Sequence, residues 1–328
     1  MKQVFDFSVG EAQANSRLDE LLAVRLEWLS RMHIRTLIAT GACKIGGENA
    51  RAGQKVRLGD TVEVTCDIET ATAMTPEALP LDVVYEDDHL LVIIKAAEML
   101  MHPTRGISSG TLANALAYHL NRKRIENDPM FSIPQGTPCL ECPPSITNRA
   151  TRPGLVHRLD RATSGLVVVA KTMRSLSVLS RHFHERRVAK GYAAVLTGCV
   201  REDELTITAP IGRDAAADMP KWRVMSEGKH SESRLRVIAR ASDRTLVEMI
   251  PITGRTNQLR IHAAHIGRPI FGDGWYGGAH ADRLCLHASR LAFHHPANGE
   301  WMEFTSVPPT EMMLVWDESL RADESDSY

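Results

Sequence analysis

No uninterrupted apolar run in the 328 residues approaches the ~20 needed to cross a bilayer, so no membrane-spanning helix is expected. The first ten residues carry Asp6 in their middle and no apolar core, which excludes a secretory-signal reading of that stretch. The six cysteines (Cys43, Cys66, Cys139, Cys142, Cys199, Cys285) are scattered, unlike the framework of a disulfide-stapled domain. Neither an internal repeat nor a low-complexity tract is present. An excess of either charge is missing too: the formal net charge is −1, so whole-chain electrostatics announce no polyanion partner. Together these absences leave a cytoplasmic globular protein as the expectation. A hydrophobic content of 43% against 24% charged residues supports it, because such a chain can bury a core instead of staying disordered.

The distribution of charge says more than its total. Between Arg149 and Lys190 ten basic residues face only Asp160 and Glu185, a local charge of +8. Taken alone, a charge run is first of all a solvated face. A basic stretch enclosing one aspartate is nevertheless a candidate phosphate-binding surface. The end of the chain runs the other way, with Asp317, Glu318, Asp323, Glu324 and Asp326 against Arg321.

Length allows about two domains on the usual prior of ~100–200 residues each. Leucines at 18, 21, 22, 26 and 29 repeat at helical spacing, and Ser30 can cap a second helix carrying Ile34, Leu37 and Ile38. Short alternating runs at 43–45, 54–58 and 61–64 complete a small α+β unit over residues 1–67. Residues 68–80, with two prolines and little to bury, read as a linker. From 81 to 310 strands and interspersed helices follow one another without a regular βαβ rhythm, which argues for an α+β sheet domain. Strands are expected near 83–85, 90–94, 166–170, 192–196, 205–209, 234–239, 245–250, 286–293 and 301–305. Helices are expected at 111–120, 175–186 and 258–265. Residues 121–153 read as a loop or insertion, and 311–328 as an acidic tail.

Three segments carry chemistry. In Gly154–Gly165, Asp160 lies between Arg158 and Arg161 in a polar loop that leads into the apolar strand Leu166–Ala170. Nearby positive charge lowers a carboxyl pKa, so Asp160 is expected to be ionised at neutral pH, as a nucleophile must be. On spacing alone, an aspartate making turn or salt-bridge contacts is the stronger reading. In Thr253–His262 a glycine precedes polar donors and a helix. Arg260 there could pair with a distant carboxylate such as Asp160, or be an ordinary surface arginine. In Lys190–Gly198, Tyr192 opens a strand and could stack on a base, although most tyrosines so placed are merely half-buried. Cys139 and Cys142 form one C-x-x-C without a second pair, weak evidence for zinc, and His182 and His184 lack helical ligand spacing.

In this order the segments resemble the RluA/RluD-type pseudouridine synthases. The resemblance rests on His157-Arg158-Leu159-Asp160 with Thr163-Ser164-Gly165-Leu166, on Lys190-x-Tyr192, and on Gly254-Arg255-Thr256-x-Gln258-Leu259-Arg260-x-His262. Pro80–Asp87, His102-Pro103-Thr104, Leu286-His287-Ala288 and Phe293–Pro296 extend it from about residue 80 to about 310. It implies a mixed, mainly antiparallel β-sheet domain with flanking helices. It also implies an isomerase that uses no cofactor and no metal, acting on RNA as a monomer. Large-subunit ribosomal RNA is the first candidate substrate and transfer RNA the second. Asp160, Tyr192 and Arg260 would be catalytic. Arg158 would fill the gap left by the extruded nucleotide, and His157, Arg255, Thr256, Asn257 and Gln258 would bind substrate. Through Arg17-Leu18-Asp19, Ser30-Arg31 and the closing Gly59-Asp60, residues 16–66 resemble the small RNA-binding module first known from ribosomal protein S-four, which would offer Arg31, Arg35 and Lys44 to RNA. The chain departs from the family pattern in three places, one of them residues 121–150, which look longer than the usual connection before the signature. Lys95-Ala96-Ala97-Glu98 replaces a usual lysine-proline-alanine-glycine, and Asn257 a usual histidine.

Overall fold

The computed structural model describes residues 2–26, 29, 31–67, 75–104, 106–127, 153–214 and 221–325. Residues 139 and 142, with most of the expected 121–153 loop, lie outside them. The chain forms two compact units: Met1–Leu79 with His102–Arg152, and Pro80–Met101 with Pro153–Tyr328.

In the first unit a four-stranded antiparallel sheet is built from β1 (Lys2–Ser8), β2 (Cys43–Ile45), β3 (Glu48–Asn49) and β4 (Thr61–Asp67), in the order β1-β4-β2-β3. Two helices, α1 (Leu18–Arg25) and α2 (Arg31–Ala39), share its core. Val62, Val64 and Cys66 alternate inward along β4 and meet the leucines and isoleucines whose helical spacing marked α1 and α2. Strand β1 went unread, because only its pairing with β4 reveals it. The 54–58 run does not form a strand: it turns back through a single bridge between Arg17 and Lys55. Helix α3 (Leu112–Asn127) groups with this unit and not with the sheet domain expected from residue 81 onward. It also holds the end of the expected linker. Asn114 Nδ2 donates to the Thr75 carbonyl at 2.8 Å, and the Gly110 N–H donates to Glu77 Oε2 at 2.9 Å.

The second unit is organised by one large sheet. Its strands are β5 (Asp82–Glu86), β6 (Leu90–Lys95), β7 (Gly154–Leu155), β8 (Ser164–Ala170), β9 (Ala189–Thr197), β10 (Glu204–Thr208), β13 (Glu232–Arg240), β14 (Arg244–Pro251), β15 (Leu286–His294) and β16 (Trp301–Thr305). Between β10 and β13 lies a separate hairpin, β11 (Ile211–Asp214) with β12 (Lys221–Val224). The sheet order is β10-β13-β14-β9-β15-β8-β6-β5, with β16 on β15 and β7 on β8. All pairings are antiparallel except β8 with β15. This is the mixed, mainly antiparallel α+β domain that the resemblance implied.

Helices α4 (Met173–His184), α5 (Gln258–His265) and α6 (Thr310–Ser325) belong to this unit. Thr172 caps α4, its hydroxyl accepting the Ser175 N–H at 3.1 Å. Of the acidic tail expected over 311–328, residues 311–325 belong to a helix, and 326–328 lie outside the described residues. The charges that suggested a tail share the segment with Met312 and Trp316, both buried in the core beneath β9 and β14. Arg244 donates to the Val315 carbonyl and holds the helix there. Trp316→Ala should therefore destabilise the protein by about 3–5 kcal/mol, the usual effect of emptying a buried tryptophan site. Urea unfolding checks this, and a change within about 0.5 kcal/mol would mean that α6 is a dispensable appendage.

Candidate active site

Asp160 sits in the loop between β7 and β8, where its carbonyl accepts the Thr163 N–H at 3.1 Å and closes a turn. The loop is fixed on both sides. Before it, His157 Nε2 accepts the Val168 N–H at 3.0 Å, and its ring stacks on Phe183 with centroids 4.6 Å apart. Burial, with Lys190 adding to it, pushes the His157 pKa down to about 3, so the ring is a neutral prop. His157 thus supports the loop through backbone and stacking, where a substrate contact had been expected. After the loop, Gly165 (φ +119°) crosses β15 so closely that a Cβ would stand 2.4 Å from the Ala288 carbonyl oxygen. Beside it Ser164 Oγ lies 2.8 Å from His287 Nδ1 and accepts from Arg283 Nη2 at 2.6 Å.

A third anchor comes from a residue that sequence reasoning treated only as part of a departure. Lys95 is fully buried, and its Nζ donates to the carbonyls of Ala96, Met99 and Arg161 at 2.6, 2.9 and 3.0 Å. The last of these belongs to the residue after Asp160. Burial lowers the Lys95 pKa to about 8, opposed by the charges of Glu98 and Asp160.

The cleft is lined by Arg158, Asp160, Thr163, Lys190, Tyr192, Thr253, Gly254, Arg255, Thr256, Gln258 and Arg260, among others. It gathers the three catalytic candidates Asp160, Tyr192 and Arg260 from three separate segments. Asn257 is not in its lining. It occupies the left-handed region (φ 53°), and its Nδ2 donates to the Tyr276 hydroxyl at 3.2 Å. Gln258 is consumed by the fold: its Oε1 accepts from Thr253 and from the Arg255 N–H, and its Nε2 donates to Glu232 and Ser233. Arg255 is half-buried, its Nε donating to the His230 carbonyl at 3.3 Å, and Thr256 is exposed.

Two expectations are overturned. Arg260 does not pair directly with Asp160. Its Nε and Nη2 donate to the two oxygens of Asp273, each at 2.7 Å, and its guanidinium lies over the Tyr276 ring at 5.1 Å. Asp273 is fully enclosed and also accepts the N–H groups of Trp275 and Tyr276. Sequence reasoning missed it; an aspartate between Gly272 and Gly274, just beyond a basic helix, was the available signal. Arg260 acts on Asp160 through its charge alone. Asp160 is also not held low by the arginines beside it in sequence. Burial raises its pKa, opposed by the charges of Arg260, Arg158 and Lys95. The physical reason is exposure: Arg158 points to solvent, and Arg161 pairs outward with Glu98 at 3.1 Å. No donor among the described residues hydrogen-bonds the Asp160 carboxylate. Burial, and then the charge of Asp160, raise the Tyr192 pKa, so its phenol stays protonated.

The RNA pseudouridylate synthase family model matches residues 89–265, which include this site through Arg260 and leave out Asp273. The chain belongs to that family. It is 35% identical over 315 residues to the uncharacterized RNA pseudouridine synthase YlyB of Bacillus subtilis, covering 95% of this chain and 96% of the relative. It is 34% identical to the ribosomal large subunit pseudouridine synthase D of Xanthomonas campestris, covering 97% and 92%. Among solved structures, human RNA pseudouridylate synthase domain containing 1 superposes with a TM-score of 0.52 at 27% identity, over 72% of this chain and 87% of the other. This pseudouridine synthase is therefore an isomerase acting on RNA.

Among the described residues no cluster of three or more metal-ligating side chains occurs, and no helix is long and apolar enough to cross a membrane. In the N-terminal unit Arg35 lies 3.6 Å from Asp19 and Lys44 lies 3.4 Å from Glu63; Arg31 begins α2.

The Arg260–Asp273 pair generates a test. Breaking a buried pair from one side typically costs ~3–5 kcal/mol, because the other charge is left uncompensated. Asp273→Asn should lower both activity and unfolding free energy, and Arg260→Lys should recover little of either, since an ammonium cannot make the two-pronged contact. Wild-type stability in Asp273→Asn, measured by denaturant titration, would contradict this account of the pair.

Proposed function

We propose that Asp160 is the essential carboxylate of uridine isomerisation and that the substrate is a uridine in large-subunit ribosomal RNA. The carrying observation is a half-buried carboxylate in the cleft with no hydrogen-bond donor upon it among the described residues, beside a protonated tyrosine and a cation already fixed by another acid. Such a carboxylate is available to react, and ordinary structural aspartates are not left in that state.

The reaction breaks the N1–C1′ bond and forms C5–C1′; C5 loses a proton and N1 gains one. Substrate and product have the same atoms, so nothing else is consumed. Asp160 attacks C1′ or the uracil ring, or directs formation of a glycal; all three need it ionised when the base enters. Arg260, held by Asp273, and Lys95, held by three carbonyls, supply positive charge that does not have to reorganise as the reaction proceeds. Tyr192 offers a ring to stack on uracil and a hydroxyl to donate. Arg158, exposed beside Asp160, fills the space of the extruded nucleotide. Extrusion costs a few kcal/mol of stacking, which phosphate contacts from the basic stretch around the loop offset.

The names of relatives that act on the large ribosomal subunit support the substrate, with transfer RNA as the alternative. Mapping pseudouridines in ribosomal and transfer RNA from cells with and without the gene decides between them. Asp160→Asn removes the charge and keeps the shape: RNA should bind with affinity near wild type while no pseudouridine forms. Turnover by the purified variant would exclude Asp160 from the chemistry.

The N-terminal unit, on this reading, is a ribosomal-protein-S-four-like module that holds RNA while the sheet unit does the chemistry. It adds affinity through effective concentration. Arg35 and Lys44 are partly neutralised by Asp19 and Glu63, so the contact uses local and not net charge. Reversing Arg31, Arg35 and Lys44 together to glutamate should weaken binding to full-length RNA by about tenfold or more, since each lost phosphate contact removes counterion release. Modification of a saturating short stem-loop should be spared. Unchanged affinity in a filter-binding titration would assign the unit another role.

A further inference from the structure

The cations of the cleft are not equivalent. Arg260 is committed to Asp273, Lys95 to three carbonyls, and Arg255 touches the His230 carbonyl. Arg158 is exposed to water. Lys190 differs from all of them. It stands on β9, opposite Leu291 of β15 and two residues before Tyr192, in the wall of the cleft. It is half-buried, and no carboxylate, carbonyl or hydroxyl among the described residues pairs with its ammonium. The contact it does make is with the ring of Phe183, 6.0 Å away, the same ring on which His157 stacks. Burial alone lowers its pKa, with no opposing acid.

A desolvated ammonium without a partner is costly unless an anion comes to it. Asp160, on the same cleft, is not within ion-pair reach of it and already feels Arg260, Arg158 and Lys95. The anion must then arrive with the ligand. Extrusion of a nucleotide carries its two flanking phosphodiesters toward the cleft, and these are the charges an RNA substrate can deliver to a wall beside the stacking tyrosine.

We propose that Lys190 is the phosphate seat of the cleft, its ammonium taking one of the two phosphodiesters that flank the extruded uridine. The assignment rests on the Asp160-centred reading of the site, and it adds a binding role that neither the fold nor the catalytic groups require. Lys190 holds the nucleotide by its backbone while Tyr192 and Asp160 engage base and sugar. It bears on affinity and register and leaves the chemical step to the others.

The test uses the full-length enzyme and a synthetic stem-loop carrying the mapped uridine, made in three versions. One is unmodified; the others carry a charge-neutral methylphosphonate 5′ or 3′ of that uridine. Lys190→Met keeps the aliphatic stem, and Lys190→Gln serves as a second variant if Met disturbs folding. Expected for the unmodified RNA is about ten- to hundredfold weaker binding, the range for a lost hydrogen bond to a charged group. KM should rise with kcat kept at saturation, and the salt dependence should fall by about one phosphate. One of the two methylphosphonates should weaken wild-type binding by a similar factor and leave the variant nearly unaffected. Additive losses at both positions would overturn the proposal. So would a fall in kcat with an altered pH profile, which would make Lys190 a proton-moving group. Turnover of the unmodified stem-loop by Asp160→Asn checks the Asp160 reading separately, so the two cannot fail unnoticed together.

Discussion

The close crossing of β8 and β15 is the constraint on which the site depends. Antiparallel ladders surround it, and this one short parallel contact joins Ser164 to His287 and Gly165 to Ala288. It needs a residue without a Cβ, because any side chain at Gly165 would collide with the Ala288 backbone. It also needs its polar groups satisfied in the interior. Ser164, His287, Ser306 and Arg283 do this as a chain of contacts, with His287 2.8 Å from Ser164 and 3.0 Å from Ser306. Burial, then the neighbouring Arg283, depress the His287 pKa to about 4, so the ring stays neutral and serves as connector. The Asp160 loop enters β8 directly at this crossing. Its position is therefore inherited from the sheet, and a reacting group built on a rigid element is held more closely than one on a free loop.

The electrostatics follow from that placement. Bringing Asp160 to the sheet surface takes it partly out of water, and burial raises its pKa even with three cations near. Two of these cations are in turn restrained by something other than Asp160, Arg260 by Asp273 and Lys95 by three carbonyls. If Arg260 formed a short ion pair with Asp160, the carboxylate would be stable and occupied. Because Asp273 takes both prongs of the guanidinium, Arg260 lends its field without blocking the oxygens. Tyr276 joins the same assembly, its ring under Arg260 and its hydroxyl 3.0 Å from the Trp222 carbonyl of β12. The hairpin β11–β12 is thereby tied to the charge network of the cleft.

Much of the sheet was legible because its inner strands are nearly continuous apolar runs. Leu90–Ile94 and Leu166–Ala170 announce burial on both faces and cannot be mistaken for helices at that length. Helix α5 was legible at both ends. Unread were elements whose identity is set by a partner distant in sequence: β1, which needs β4, and the hairpin β11–β12. Helix α6 was hidden by composition, since two buried side chains, Met312 and Trp316, were outweighed by the surrounding acids. The site shows the same division. Asp160, Tyr192 and Arg260 were named from motif order, whereas Asp273 and Lys95 act through contacts that no spacing reveals. Contacts went unread where neighbours in sequence are not neighbours in space. His157 and Gln258 turn inward to backbone groups, and the arginines flanking Asp160 turn outward.

Two of the departures from the family pattern, Glu98 and Asn257, share a backbone explanation. Glu98 stands where the family usually has glycine, and its φ is 61°, a conformation that glycine adopts freely and a glutamate does not. An ordinary side chain there costs roughly 1–2 kcal/mol. The offset is local: Arg161 Nε reaches both the Glu98 carboxylate at 3.1 Å and the Glu98 carbonyl at 3.3 Å. This contact joins the turn after β6 to the residue after Asp160, alongside the Lys95 contact with the Arg161 carbonyl. Asn257 also lies in the left-handed region, at φ 53°, where asparagine is among the better-tolerated residues. Its side chain faces Tyr276 and not the cleft lining. Neither Glu98 nor Asn257 lines the cleft; each holds a left-handed turn beside it and makes a polar contact, Glu98 with Arg161 and Asn257 with Tyr276.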